Sequence, residues 1–242
     1  MLEGITNGSG RWIARLYART MLKMDVRWHA PLADGPKIIA VNHPTTTDPF
    51  LLMGLMSEPV SILITEMCFK LPVLGHFLRR AGHVPVMDGN GRTAFEQAVK
   101  LLQVGRTVAI FPEGSLSPLG GGVCAPHTGV ARLALITRVP VIPVGIHLQR
   151  ENIYFLKTTV DGKTEIARWY FHGPYAVTVG KPMRFDGSVE DRELVHSISQ
   201  RIMGRISLLA RESDQRKSRE WATRPVLAGQ VWRKAKAAIG IR

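Results

Sequence analysis

Cysteine is scarce in this chain: Cys68 and Cys124 are the only two in 242 residues, and they stand far apart with no Cys-x-x-Cys pair. Neither a zinc site nor a disulfide framework is indicated, and reduced thiols are the expectation. Long apolar runs are missing as well. The best candidates are broken by Glu58-Pro59, by Arg132, and by Arg138 with Pro140, short of the roughly 20 clean residues a membrane-spanning helix needs. The first ten residues are polar and Gly-rich, without the apolar core of a secretory signal. No Gly-x-Ser-x-Gly elbow occurs, which argues against a serine esterase. Acidic residues are few: 19 Asp and Glu face 32 Lys and Arg, a formal net charge of +13. Such an excess implies an anionic partner, whether nucleic acid, an anionic membrane surface or an acidic substrate. No nucleic-acid-binding motif is recognisable, so no nucleic-acid partner is expected.

A hydrophobic share of 45% is enough for one full core. From residue 37 short β-branched runs alternate with helical patterns. Strands are expected at residues 37–41, 60–65, 84–87, 107–111 and 139–146, and helices at 48–56, 71–81, 92–104 and 129–137. Pro140 and Pro143 place the strand at 139–146 near an edge or a strand end. Three further strands, at 152–159, 165–171 and 175–179, with turns at Asp161-Gly162 and Gly173-Pro174, suggest a hairpin-like edge, and residues 194–211 a helix. The fold class is therefore α/β: a single layered domain with a mostly parallel central sheet flanked by helices. An amphipathic helix is expected over residues 11–27, where Arg11, Arg15, Arg19 and Lys23 form one row beside Trp12, Leu16 and Tyr17. The chain divides into a membrane-surface region at 1–30, the domain at 31–212, and a basic tail at 213–242, in which residues 226–241 form a second candidate amphipathic helix.

The chemistry gathers at two strand ends. Asn42-His43-Pro44-Thr45-Thr46-Thr47-Asp48 follows the first strand, with Asp48 read as an N-cap and Pro49 as the first helical residue. A carboxylate here can hold one imidazole nitrogen of His43 and leave the other free to take a proton. Phe111-Pro112-Glu113-Gly114-Ser115 follows the strand at 107–111, and ligands collect at the carboxyl ends of strands in open α/β sheets. Gly114 would let the backbone approach a ligand closely.

These stretches resemble the glycerolipid acyltransferases, the 1-acylglycerol-3-phosphate acyltransferase family. Asn42 through Asp48 matches its NHxxxxD block, and Phe111 through Ser115 its FPEGT block. Val139-Pro140-Val141-Ile142-Pro143-Val144-Gly145 is similar to its VPIIPV block, and Gly75 through Met87, with Gly82-His83-Val84-Pro85-Val86, to the fourth. The resemblance covers residues 37–146 and implies transfer of a fatty acyl group from an acyl thioester, acyl-CoA or acyl carrier protein, to a lipid hydroxyl in phospholipid biosynthesis. No metal or other cofactor is implied. His43 would be the base and Asp48 its orienting carboxylate. Asn42, Glu113, Gly114, Ser115, Arg79, Arg80 and His127 would contact substrate. Backbone amides near residues 112–115 or at the Asp48 helix start are candidate oxyanion donors.

Three positions depart from the family's pattern, and each lacks an expected basic residue: Asp88, Leu116 and His127. In the family those cations bind the acceptor's phosphate, and each charge-assisted bond contributes roughly 1.5–3 kcal/mol. Arg79, Arg80 and Arg92 are the nearby candidates to compensate, and an acceptor with a headgroup other than phosphate stays open. The expected location is peripheral, on the cytoplasmic face of an anionic membrane. The competing reading is a non-catalytic module that binds such membranes on the same scaffold.

Overall fold

The computed structural model describes residues 16–221 except 19, 33, 57, 161 and 162. Most of the expected amphipathic helix, the turn at Asp161-Gly162 and the second candidate helix at 226–241 lie outside the described residues. Residues 16–18 are helical, but the far end of the expected helix is not: Asp25–Trp28 is a strand, β1. It pairs in parallel with Tyr175–Val179 (β9), so tertiary pairing overrides the local helical pattern there.

The other elements follow the expected alternation. In order they are β2 (Ile38–Val41), α1 (Asp48–Leu55), β3 (Val60–Thr65), α2 (Glu66–Lys70), α3 (Pro72–Arg80), β4 (Val84–Val86), α4 (Gly91–Gln103), β5 (Thr107–Ile110), α5 (Gly129–Thr137) and β6 (Val141–Leu148). A single 3-10 turn (Arg150–Asn152) leads to β7 (Ile153–Val160), β8 (Lys163–Tyr170), β9 and the long α6 (Arg192–Trp221). The one-turn α2 has no clear signal in the sequence. Helix α6 continues past residue 212. There Ser213 is buried, donating to the Gly145 carbonyl at 3.1 Å, and Arg216 binds the Val177 carbonyl at 3.0 Å.

Seven strands form one sheet in the order β1-β9-β6-β2-β5-β3-β4, and only the β6–β9 pair is antiparallel. β6 is thus interior, not at an edge. It tolerates Pro143 because the β9 ladder begins one residue later, at Val144↔Val179, and Gly180 donates instead to the Pro143 carbonyl at 2.8 Å. β7 and β8 pair only with each other, forming a separate hairpin and not an edge of the main sheet.

Side chains alternate across β2, as the pleat requires. Ile39 and Val41 join a core with Leu51 and Leu52 of α1, Met56 just past its end, Leu22, and Tyr170 and Tyr175. Ile38 and Ala40 join the opposite core with Ala98 and Leu102 of α4, α5, and Ile198, Ile202 and Ile206 of α6. Gly145 lets α6 cross β6 closely: a Cβ there would meet the Ala210 nitrogen at 2.1 Å. Among the described residues no helix is long and apolar enough to cross a membrane.

Candidate active site

β2 and β5 run side by side in parallel, with Ile38 opposite Val108 and Ala40 opposite Ile110. The two motif turns therefore leave the sheet at the same height. Past β2, the His43 ring turns toward α1 and stacks on Phe111, with centroids 4.0 Å apart and planes inclined by 21°. Its Nδ1 lies 3.0 Å from Asp48 Oδ2, and Asp48 is fully buried.

Asp48 is not the N-cap. Thr47 occupies that position, and Asp48 is the first helical residue. Its carboxylate serves the preceding turn instead. Oδ2 accepts the Thr45 amide at 2.8 Å in addition to His43, while Oδ1 accepts the Thr45 hydroxyl at 2.7 Å and the Tyr175 hydroxyl at 2.8 Å. Burial, and then the negative charge of Asp48, hold the Tyr175 pKa well above its ordinary value, so the phenol stays protonated and donates. Four bonds on one buried carboxylate fix its orientation and hence that of the imidazole.

Glu113 also does not face an open cleft. It is 3% exposed, and both oxygens are engaged. Oε1 accepts the His43 amide at 3.0 Å and the Ser117 hydroxyl at 2.6 Å, while Oε2 accepts the Cys124 amide at 2.6 Å. The Ser117 oxygen lies 3.0 Å from the same His43 amide, and the Ser117 amide donates to the His43 carbonyl at 2.7 Å. Glu113 is a clasp joining the two motif turns through the His43 backbone.

Asn42 is equally committed. Its amide group donates to the Ile146 carbonyl at 3.0 Å and accepts the Ile146 amide at 2.7 Å, which extends the β2–β6 pairing by one side chain. Gly114 has φ +63°, and a Cβ there would lie 2.6 Å from the His127 ring. The space the glycine opens is filled by this histidine. His127 is exposed, with its amide bound to the Pro112 carbonyl at 2.8 Å, and Ser115 is exposed beside it.

The compensating arginines are placed otherwise than expected. Arg79 donates from Nη1 and Nη2 to the Phe69 carbonyl at 2.7 and 2.9 Å, closing the end of α2. It and Arg80 lie in the last turn of α3, before the amino end of β4. Arg92 pairs with Glu96 across one turn of the exposed face of α4. Among the amides proposed for an oxyanion, those of the helix start are taken: Asp48 donates to Thr45, and Phe50 and Leu51 to Thr47. Leu116 is half-buried and Asp88 exposed.

Sequence reasoning missed Tyr175, Ser117 and Arg168. Ser117 follows Glu113 by one helical turn's spacing, a weak local signal. Tyr175 and Arg168 come from strands more than a hundred residues away, and nothing local announces them. Arg168 joins the hairpin to the site: its amide donates to the Thr46 hydroxyl at 3.0 Å and its Nη1 to the Ser117 carbonyl at 2.5 Å. Tyr170 donates its amide to the Thr47 hydroxyl at 2.9 Å. Beside these stitches an apolar groove of about 330 Å³ is lined by Tyr17, Thr47, Phe50, Leu51, Trp169 and Phe171. The buried Trp169 indole N–H has no acceptor among the described residues.

A family model described as Acyltransferase matches residues 23–147. A 1-acyl-sn-glycerol-3-phosphate acyltransferase of Borreliella burgdorferi is 28% identical over 126 residues, covering 51% of this chain and 49% of that protein. A lyso-ornithine lipid O-acyltransferase of Pseudomonas aeruginosa is 30% identical over 144 residues, covering 59% of this chain and 54% of that protein. The chain thus spans about half the length of these curated relatives. The crystal structure of the 1-acyl-sn-glycerophosphate acyltransferase PlsC from Thermotoga maritima aligns with a TM-score of 0.59 at 20% identity, over 89% of this chain and 79% of that one, a likeness of fold.

Proposed function

The chain belongs to the acyltransferase family, and we propose that it transfers a fatty acyl group from an acyl thioester to the hydroxyl of a lyso-lipid. The observation that carries this reading is the His43–Asp48 pair, 3.0 Å apart, with no nucleophilic side chain interposed. An alcohol is a weak nucleophile at neutral pH. With Nδ1–H held by Asp48, Nε2 of His43 is the basic nitrogen. It takes the acceptor's hydroxyl proton as that oxygen bonds to the thioester carbonyl carbon. The tetrahedral oxyanion then collapses, the carbon–sulfur bond breaks, and the imidazolium returns the proton to the leaving thiolate. Asp48 stabilises the imidazolium in between, the role of the carboxylate in a His–carboxylate pair. With the helix-start amides and that of Gly114 engaged, the amides of Glu113, Ser115 and Leu116 are the remaining candidate oxyanion donors.

The groove beside the amino end of α1 suits an acyl chain, and Trp169 forms part of its lining. Contact with an anionic bilayer follows from the surface around it. Phe155, Leu156 and Ile166 of the hairpin are 57%, 55% and 62% exposed, Trp169 stacks on Phe171, and Leu16 and Met21 are likewise exposed, on a strongly basic chain.

The acceptor is the finer question. The absence of basic side chains at Asp88, Leu116 and His127 favours, as a second reading, an amino-acid lipid acceptor like that named for the Pseudomonas relative over a phosphate monoester. Labelled acyl-CoA and acyl carrier protein, offered with lysophosphatidate and lyso-ornithine lipid, separate these possibilities by product. Replacing His43 by Ala is expected to lower turnover at least about 10²-fold with the thermal unfolding curve unchanged. Undiminished turnover in that variant ends the acyl-transfer mechanism.

A further inference from the structure

A second cavity, of about 200 Å³, opens past the carboxyl end of β6. Its wall nearest the candidate dyad is Asn42, Pro44 and Ser117, the residues that flank His43 or clasp its backbone; the imidazole itself is not in the wall. Three arginines from three separate elements face it: Arg150 from the turn after β6, Arg168 from β8 and Arg211 from α6. None belongs to the four sequence blocks. The Arg150 and Arg211 side chains make no hydrogen bond or ion pair among the described residues, and the Arg168 guanidinium uses Nη1 alone, on the Ser117 carbonyl. Arg150 lies over Gly121, where a Cβ would meet its Nη2 at 2.2 Å.

Two other titratable groups line the cavity. Asp214 Oδ1 is 3.4 Å from His147 Nε2. The contact suggests an ion pair, but burial lowers the His147 pKa, with Asp214 opposing that shift and Arg150 adding to it. We take the ring as neutral at pH 7, since the net direction is downward. The wall then carries three guanidinium cations and one carboxylate. Three cations around one cavity with a single carboxylate among them leave an excess of positive charge, which an anion relieves.

We propose that this cavity binds a phosphate group, held by Arg150, Arg168 and Arg211. Guanidinium forks match phosphate oxygens bidentately, and three of them suit a group carrying up to two charges. The phosphate can come from the donor, as the phosphopantetheine or nucleotide end of the thioester, or from the headgroup of the acceptor. The purpose of the site rests on the acyl-transfer reading; its binding chemistry does not.

The test starts with calorimetric titration of the full chain by inorganic pyrophosphate. Saturable, salt-sensitive binding is expected, weakened at least 10-fold in the Arg150→Gln/Arg211→Gln double variant, whose substitutions fall on exposed positions. The single variant Arg211→Lys should restore part of the loss that Arg211→Gln causes, because it returns the charge without the fork. Steady-state kinetics then assigns the source. A 10-fold or greater rise in KM for acyl-CoA with the acceptor KM and kcat little changed marks the donor, and the same rise for lysophosphatidate alone marks the acceptor. No measurable pyrophosphate binding, equal binding by the double variant, or both KM values within twofold of wild type overturns the proposal. Retained pyrophosphate binding in a wild-type chain that transfers no acyl group would sink the enzyme reading alone.

Discussion

The parallel half of the sheet and the segment after β6 divide the work unequally. The parallel strands β2 and β5 supply every chemical group of the candidate dyad and its clasp: His43, Phe111 and Glu113, with Asp48 at the start of the intervening α1. The later segment supplies neither member of that dyad. It supplies supports: Tyr175 on Asp48, the hairpin backbone on Thr46 and Thr47, and Arg168 on Ser117. One half sets what chemistry is available, and the other sets how rigidly it is held.

If that division is right, damage to the parallel half should stop turnover and damage to the later half should only loosen it. The largest effect is expected from Asp48→Asn. It offers an amide where His43 and Thr45 need an acceptor, so kcat should fall about 10³–10⁴-fold by the logic of His–carboxylate pairs, measured as initial rates on thioester. Next is Glu113→Gln. Its amide opposes a donor from Ser117 or Cys124, so the unfolding free energy in urea should drop by about 1–3 kcal/mol, with kcat reduced more than KM is raised. A rise in acceptor KM at unchanged stability would instead make Glu113 a substrate contact and blur the comparison.

Smaller again is Tyr175→Phe. Asp48 keeps three of its four bonds, so kcat should fall only several-fold and the pH–rate profile should keep its shape. The last effect leaves turnover aside and concerns stability alone. His83 is buried, accepts the Ile62 amide at its Nδ1 at 3.2 Å, and has its pKa lowered to about 4 by burial and by Arg106. The unfolded chain binds its proton near pH 6.5 while the folded chain does not, so stability present above that pH is lost progressively as pH falls toward 4. The full loss is on the order of 3 kcal/mol. Urea midpoints between pH 7.5 and 4.5 should show it, and His83→Gln should flatten the slope.

The same division marks what a reader of the sequence can see. The alternation from β2 to β6, the one-turn α2 apart, was legible because its elements carry their own period and their own stop, as at Gly105 after α4. The motif turns were legible because they follow those strands directly. The roles of Glu113 and Gly114 were not, since spacing shows that a carboxylate and a glycine lie near His43 but not which way they face. β1 was hidden in a helix-like pattern because its partner, β9, is about 150 residues away. Pro140 and Pro143 pointed to an edge or a strand end: Pro140 does stand just before β6, while Pro143 is explained by where β9 ends. Tyr175 and the three cavity arginines needed the whole chain folded, because their significance lies in convergence from separate elements.

At the opposite end of the sheet, Glu58 Oε1 accepts Lys37 Nζ at 2.5 Å and the Thr107 hydroxyl at 2.6 Å. These residues stand just before β2 and at the first position of β5, so one carboxylate pins the starting line of both strands. Each β2 residue then lies opposite the β5 residue numbered 70 higher, 108 − 38, an offset that carries His43 to the level of Glu113. Strands advance about 3.3 Å per residue and invert their faces at every step. A slip of one notch would put the imidazole and its clasp on opposite sides of the molecule, so this distant pin works as the gauge against which the reactive end is aligned.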